Sequence, residues 1–474
     1  MTDPSPTNPS ADAPSHIPMS AHNSAPADGR DNGAGVHVKE SMEKLAEVQD
    51  TTHYRVYPIR FFGLALIFLL NLSNNMNWVT FSSVPLTTKA YYGADDTMLT
   101  IFAMVYMIVF IFIAWPSAYI FRRFGIKYGL IIGAVLNAVG AWIRYFGSFS
   151  GDRSTAYSVA MFGQVVAAAG QPFFLDVPAL YSNTWFSERG RATATLIGSI
   201  GNMVGVAVAN LIVPLIATEV DTFPHALVAL AVIATVFAIP AFFVPAKPPT
   251  PPSVSAQVPH DPYMTGLRNV LRNRNFWILA LVFAFFVGIF SALSALFNLA
   301  MTPYGYSETE AGIAMIVLII VGLVGALVTS MIVDRTKRHK LVFRLATPIT
   351  GVLVLLLIVS VKRDNLAGII VHCALIGIAL TSLLPVGLEL GVECTYPVSE
   401  ATSSATLWMG SQLVSIIFLV VMDKLGDPDG EPRNNQWRGL LFLGIAGLFA
   451  SVVAQFYRGQ NRRMESERNA ITHK

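Results

Sequence analysis

The chain has 474 residues, of which 53% are hydrophobic and only 13% charged, about half the charged share of an average soluble protein. A formal net charge of +3 is too small to point to nucleic acid, and two cysteines exclude a disulfide scaffold or a cysteine-based metal cluster. With a mean hydropathy of +0.54, the composition leaves a polytopic membrane protein and excludes most soluble enzymes.

Residues 1–55 are rich in Ser, Pro, Ala, Asp and Asn, lack a long apolar run, and read as a disordered N-terminus without a signal peptide. From Phe61 the chain is a succession of apolar runs of membrane-crossing length, about 20 residues each. They predict spans over 61–86, 98–121, 127–147, 156–182, 193–217, 225–245, 276–301, 309–333, 342–361, 366–391, 403–423 and 437–457. A β-barrel would show short alternating segments instead. Between the sixth and seventh runs, Lys247-Pro248-Pro249-Thr250-Pro251-Pro252 reads as a linker. It is followed over 261–275 by an amphipathic interfacial helix with Arg268, Arg272 and Arg274.

This gives a bundle over 56–245, a linker over 246–275, a second bundle over 276–457 and a tail over 458–474. Arg122, Arg123, Lys127, Arg189, Arg191, Arg335, Lys337, Arg338 and Lys340 gather in alternate loops. The loops after spans 5 and 7 carry Glu219, Asp221, Glu308 and Glu310. That bias places both termini in the cytoplasm, with Lys362, Arg363 and the loop carrying Lys424, Arg433 and Arg438 falling outside the rule and the loop after span 10 carrying no base.

A shift of about 212 residues relates the halves weakly. Glu188 falls on Glu400, Trp78 on Phe290, Asp176 beside Glu389 and Asn202 near Gln412. The expected fold is therefore an all-α membrane protein, with twelve transmembrane helices in two pseudo-symmetric six-helix bundles and a substrate site between them. This is the major facilitator architecture. Asp334-Arg335-Thr336-Lys337-Arg338 resembles the basic gate motif of that superfamily, whereas Phe121-Arg122-Arg123-Phe124-Gly125 has Arg where the motif has Asp.

Several side chains are unusual for a span. The first carries Asn71, Ser73, Asn74, Asn75 and Asn77 beside Trp78. Amides facing hydrocarbon cost several kcal/mol per unpaired group, so this stretch must face protein or a wet cavity. An indole there could hold a cation for about 0.5–2 kcal/mol, or could simply pack. Asp176 is a carboxyl inside span 4 and reads either as a proton-coupling group or as helix glue. Glu188, Arg189, Arg191, Asp334, Arg335 and Lys337 read as gate charges. Gly201 and Gly205 read as a close-packing face and Gln164 as structural. No nucleophile–base pair, phosphate loop or metal cluster appears, so no catalytic residue, cofactor or metal is expected.

Specific runs narrow the resemblance. They are Asn71 to Phe81, Met104-Val105-Tyr106-Met107, Gly170-Gln171-Pro172, Trp185-Phe186-Ser187-Glu188-Arg189-Gly190-Arg191, and Leu384-Pro385-Val386-Gly387-Leu388-Glu389 through Glu393-Cys394-Thr395-Tyr396-Pro397. Over roughly 55–460 the chain resembles solute-carrier family 49, the relatives of the feline leukaemia virus subgroup C receptor. Members of that family carry choline and ethanolamine, haem, or pyridoxine-like vitamins.

The resemblance implies a cation cage at Trp78, binding glutamines at Gln171 and Gln412, further site positions at Tyr106, Met107 and Asn202, and gate acids at Glu389 and Glu393; Asn77, beside Trp78 in the polar run, is a further candidate. Where choline-carrying relatives have a second cage tyrosine, this chain has Ser291, preceded by Phe290. The expected activity is alternating-access transport of a small organic amine by a monomer. The expected location is the plasma membrane, with a vacuolar or lysosomal membrane as the alternative. The other readings are a haem or pyridoxine carrier, a proton symporter working through Asp176, and a non-transporting receptor.

Overall fold

The structure, a computed structural model, describes residues 55–250 and 263–459 apart from positions 337, 397, 399 and 428; the side chains of Glu188, Arg189, Arg191, Asp334 and Glu400 also lie outside the description. The expected N-terminal segment and tail fall almost wholly outside the described residues, as does the middle of the linker.

The described chain is helical, with one isolated bridge between Asp427 and Asn435. The first half comprises α1 (Arg60–Ser83), α2 (Pro85–Tyr92), α3 (Asp96–Phe124), α4 (Ile126–Gly147), α5 (Arg153–Leu175), α6 (Val177–Trp185), α7 (Glu188–Ile216) and α8 (Phe223–Ala238). The amphipathic α9 (Tyr263–Arg272) leads into α10 (Arg274–Met301), α11 (Glu308–Thr336), α12 (His339–Ser360), α13 (Leu366–Thr395), α14 (Glu400–Lys424) and α15 (Trp437–Gln455). Among the described residues, eleven helices or helix pairs are long and apolar enough to cross a membrane. The first helix makes the twelfth, its hydropathy diluted by its own asparagines. Phe112, Phe162, Leu215, Val324, Val359 and Val452 are each more than half exposed, an apolar perimeter that only lipid can cover. The side where α1 begins and α15 ends is termed the near face, and the opposite side the far face.

Helix starts at the faces are capped by acids or amides. Asp95 accepts from the Met98 N–H at 2.7 Å, Asp152 from Thr155 at 2.9 Å and Asn273 from Phe276 at 3.2 Å. The Thr155 bonds hold the exposed Asp152 carboxyl below its ordinary value.

Prolines break two of the expected spans. The first, read as continuous over 61–86, stops at Val84 (φ −133°, ψ 67°), because a residue before proline is pushed out of the helical region. The fourth divides at Asp176, two residues ahead of Pro178. A proline has no N–H to return to the carbonyl four residues back, and neighbouring side chains repair the loss. Thr88 donates to the Phe81 carbonyl at 3.1 Å, opposite Pro85. Asn71 donates to that of Phe174 at 2.8 Å, opposite Pro178. Gln455 donates to that of Arg344 at 3.1 Å, opposite Pro348.

The asparagines of α1 knit the first bundle together. Asn71 also donates to the Gly198 carbonyl of α7 (3.2 Å). Asn74 reaches Asn137 of α4 (3.0 Å) and the Ala167 carbonyl of α5 (3.1 Å), and Asn137 reaches Ser73 (3.1 Å). The network continues through a fully buried guanidinium. Arg144 donates to the Asn77 carbonyl (2.7 Å), to Gln164 Oε1 (2.8 Å) and to Thr80 (3.2 Å), and lies 5.0 Å from the Phe81 ring centre. Among the described residues no carboxylate pairs with it. Close approach of α7 to α1 requires Gly201 and Gly205, where a Cβ would run into the carbonyls of Phe68 and Leu72.

The two bundles bond to each other across the far face. Asn298 of α10 donates to the carbonyls of Ser82 and Ser83, both at 3.2 Å. Glu308 accepts from the Leu86 N–H (2.6 Å) and the Thr87 hydroxyl (3.4 Å). Asp423 accepts from Thr100 (3.2 Å) and Thr97 (3.3 Å).

Two expectations follow. Arg144→Met should destabilise the protein by about 2–4 kcal/mol, since bonds from a charged donor contribute ~1.5–3 kcal/mol each. Arg144→Lys should cost nearly as much, because one ammonium cannot span three acceptors. Thermal melts in detergent check both; a lysine variant as stable as wild type would show that charge alone suffices. Separately, Glu308→Gln combined with Asp423→Asn should raise maleimide labelling of a cysteine placed at Ser83 several-fold, against a background of two buried native cysteines. Unchanged labelling would show that these carboxylates do not hold the far face shut.

Candidate functional site

Trp78, Tyr106 and Met107 of the first half and Phe290 of the second belong to the large apolar core that runs through both halves. Each is almost completely buried. α1 presents Trp78 because the asparagine network fixes that helix's rotation. The indole N–H then donates to the Ala103 carbonyl of α3 at 3.2 Å. Gln164 secures the same spot from behind, its amide donating to the carbonyls of Phe102 (3.1 Å) and Trp78 (3.4 Å) while its oxygen accepts from Arg144. The indole and the backbone on either side of it are thus clamped by bonds across α1, α3 and α5.

Gln171 lies seven residues beyond Gln164, two turns along the same face of α5. The two amides have different fates. Gln164 is consumed by the scaffold, whereas Gln171 is 5% exposed and its Oε1 has no hydrogen-bond partner. The Tyr106 hydroxyl, on the fully buried α3 face, is also without a partner. On the opposite bundle, Gln412 of α14 is buried, and Ser291 beside Phe290 accepts from the Ser415 hydroxyl at 3.3 Å. Asn202 is half-buried on α7. A site of this make-up offers a fixed aromatic wall and uncharged acceptors.

Asn77 points into the first bundle, its amide donating to Asn137 at 3.0 Å while its Oδ1 has no partner. Asp176, at the α5–α6 junction, is 2% exposed with both carboxyl oxygens unpartnered. At the near face, Glu393 is buried and Glu389 half-buried near the end of α13, each engaged by a partner. Asn273 ties the start of α10 to the neighbouring Cys394 carbonyl at 2.8 Å. Arg335 is exposed at the end of α11. Glu188, Arg189, Arg191, Asp334 and Lys337 lie outside the described side chains.

Two features were not anticipated. Arg144 carries the scaffold behind Trp78; its signal was a base inside the third apolar run. Trp408 of α14 packs on Phe110, Ala114 and Leu175 at the bundle interface and meets the Phe283 ring edge-on at 5.5 Å. Nothing in sequence distinguishes it from a lipid-facing tryptophan.

Comparison with known proteins agrees with this architecture. The Major Facilitator Superfamily pattern matches residues 64–419. The chain is 33% identical to solute carrier family 49 member A3 of Xenopus tropicalis, over 81% of this chain and 82% of that protein. It is 25% identical to the choline/ethanolamine transporter FLVCR2 of Homo sapiens, over 88% of this chain and 80% of that protein. In structure it resembles a D-xylose–proton symporter with a TM-score of 0.66 at 14% identity, covering 85% of this chain and 98% of that one. The asparagine-locked first helix, the twelve-span fold and these likenesses together identify the chain as a transmembrane transporter of the major facilitator superfamily, belonging to solute carrier family 49.

Proposed function

We propose that this transporter carries a small amino alcohol of the choline or ethanolamine class by facilitated alternating access, as a monomer and without a catalytic step. The observation that carries the reading is the pairing of a clamped indole, Trp78, with two buried acceptors that have no protein partner, Gln171 Oε1 and the Tyr106 hydroxyl. An ammonium group gains about 0.5–2 kcal/mol over an indole face. A substrate hydroxyl would satisfy an acceptor whose burial otherwise costs free energy. Relatives named choline/ethanolamine transporters support the same class. Ser291, bound to Ser415, leaves Phe290 as the aromatic on the second bundle and makes that side less cation-selective. Haem finds less support. His372 is held by Ser360 (2.7 Å) and by the Leu353 carbonyl (3.1 Å), and His225 is exposed at a helix start.

The far-face bonds close that side of the site. The loop charges support a cytoplasmic near face, and we read the protein as a plasma-membrane carrier with Glu389, Glu393 and the basic loops after α6 and α11 as its near-face gate.

Trp78→Ala should raise the KM for choline or ethanolamine by about tenfold or more, and Trp78→Phe by less, in competition uptake assays that include pyridoxine and haem. Normal transport of the best substrate by Trp78→Ala would remove the cation cage. Gln171→Leu should weaken substrates bearing a hydroxyl more than tetramethylammonium, which has none; equal losses would mean that Gln171 only packs. In proteoliposomes, saturable binding without counterflow would point to a receptor instead.

A further inference from the structure

The entry to the second bundle carries a charged surface that solute transport does not use. At about 100° per residue, α9 divides lengthwise into four strips. Gly266, Leu267 and Val270 are buried against the protein, and a Cβ on Gly266 would meet Val398 at 3.1 Å. Beside that buried strip lie Met264 and Leu271, apolar and exposed. Arg268 and Arg272, one turn apart and exposed, come next, and exposed Thr265 and Asn269 complete the circuit. A helix standing in water gains nothing from an exposed apolar strip. A helix lying at a membrane surface buries that strip among acyl chains and keeps its arginines at the headgroups.

The corner into α10 fixes the direction in which this surface looks. The Trp277 indole N–H donates to the Leu271 carbonyl at 2.7 Å. Trp277 and Leu281 are the exposed apolar edge of the first turns of α10, so Leu271 stands on the side that lipid covers. An indole at this point marks the boundary between hydrocarbon and headgroups, where amphipathic rings are favoured. Asn273 locks the corner. Its oxygen accepts from the N–H groups of Asn275 (3.0 Å) and Phe276 (3.2 Å), while its amide holds the Cys394 carbonyl. Exposed Arg274 adds a third guanidinium one residue further on.

None of these arginines has an ion-pair partner among the described residues. Arg274 also opens a helix, the end at which the helix dipole disfavours a cation. Three guanidiniums within seven residues therefore repel one another without a protein counterion, and their planar forks match the oxygens of a phosphate.

We propose that the α9–α10 corner is a binding site for an anionic phospholipid. Arg268, Arg272 and Arg274 take its phosphate and acidic headgroup, and its acyl chains lie along Met264, Leu271 and Trp277. The apolar strip selects a lipid over a free phosphate, because it gives the chains a surface that the headgroup alone cannot use. Asn273 joins this corner to the end of α13, so the lipid seats against the near face of the second bundle. The inference is independent of which solute the protein carries.

The test titrates the purified full chain in detergent with phosphatidylserine, phosphatidylcholine and glycerol phosphate, with bound species counted by native mass spectrometry. Phosphatidylserine should bind at least tenfold more tightly than phosphatidylcholine, and glycerol phosphate should not be retained. Each arginine near an anionic headgroup is worth about fivefold in affinity. The combined Arg268→Gln, Arg272→Gln and Arg274→Gln variant should therefore lose well over tenfold for phosphatidylserine, and Leu271→Ser several-fold. Removing three charges elsewhere on the near face, by Arg122→Gln, Arg123→Gln and Lys127→Gln, should change that affinity less than twofold. Thermal melts without added lipid should show every variant folded, since the three α9–α10 guanidiniums make no bond within the protein. Equal phosphatidylserine affinity in wild type and the α9–α10 variant would overturn the site. Equal losses in the two triple variants would overturn it as well, leaving only diffuse surface charge. Retention of glycerol phosphate as tight as that of phosphatidylserine would replace the lipid with a free phosphate.

Discussion

Inside a bilayer there is no water to finish an incomplete hydrogen bond, and this single constraint organises the first bundle. Three of the four amides of α1, those of Asn71, Asn74 and Asn77, are directed by a carbonyl or side chain on another helix, and Asn75 bonds within its own. Once Asn71, Asn74 and Asn77 are placed against α4, α5 and α7, the rotation of α1 is fixed and Trp78 has one direction left to point. Arg144 reinforces the arrangement by binding the backbone of α1 rather than an acid. A lone buried guanidinium would be costly; three acceptors and an aromatic face offset that cost. Pro85, Pro178 and Pro348 obey the same rule, their missing N–H replaced by a side chain from a neighbouring turn or helix.

The chemistry of the central site follows from what this scaffold leaves over. Gln164 and Gln171 occupy equivalent positions two turns apart, yet one is saturated and the other is not. A transporter must bind its cargo without holding it too tightly, and vacant neutral acceptors beside an aromatic wall suit that requirement. The second bundle contributes more bulk than polarity here, through Phe290, Trp408 and a serine pair. The two halves therefore play unequal parts despite their related folds.

Much of the architecture was legible in the sequence because hydrocarbon thickness imposes a strong length signal. The apolar runs, the amphipathic linker helix and the glycine contact at Gly201 and Gly205 were all readable that way. The density of asparagines in α1 showed that the helix faces something polar. It could not show whether that was a cavity or protein, since both satisfy an amide; the structure directs most of them into protein. Arg144 near the end of a run resembles a boundary residue until its partners are seen. Glu308 read as an ordinary loop charge because its acceptor role depends on the other bundle, which sequence order does not bring near; Asp423, which carried no signal of its own, depends on it in the same way.

The join between α1 and α2 has a consequence of its own. Pro85 ends the helix and leaves the carbonyls of Ser82 and Ser83 to Asn298. Main-chain oxygens belong to every residue type, so exchanging the serines leaves these acceptors in place. The ease with which this doorway swings is therefore controlled from outside the pair, by one amide across the gap and one imino ring behind it. Natural variants that speed or slow the cycle should accumulate at those two positions rather than at the serines.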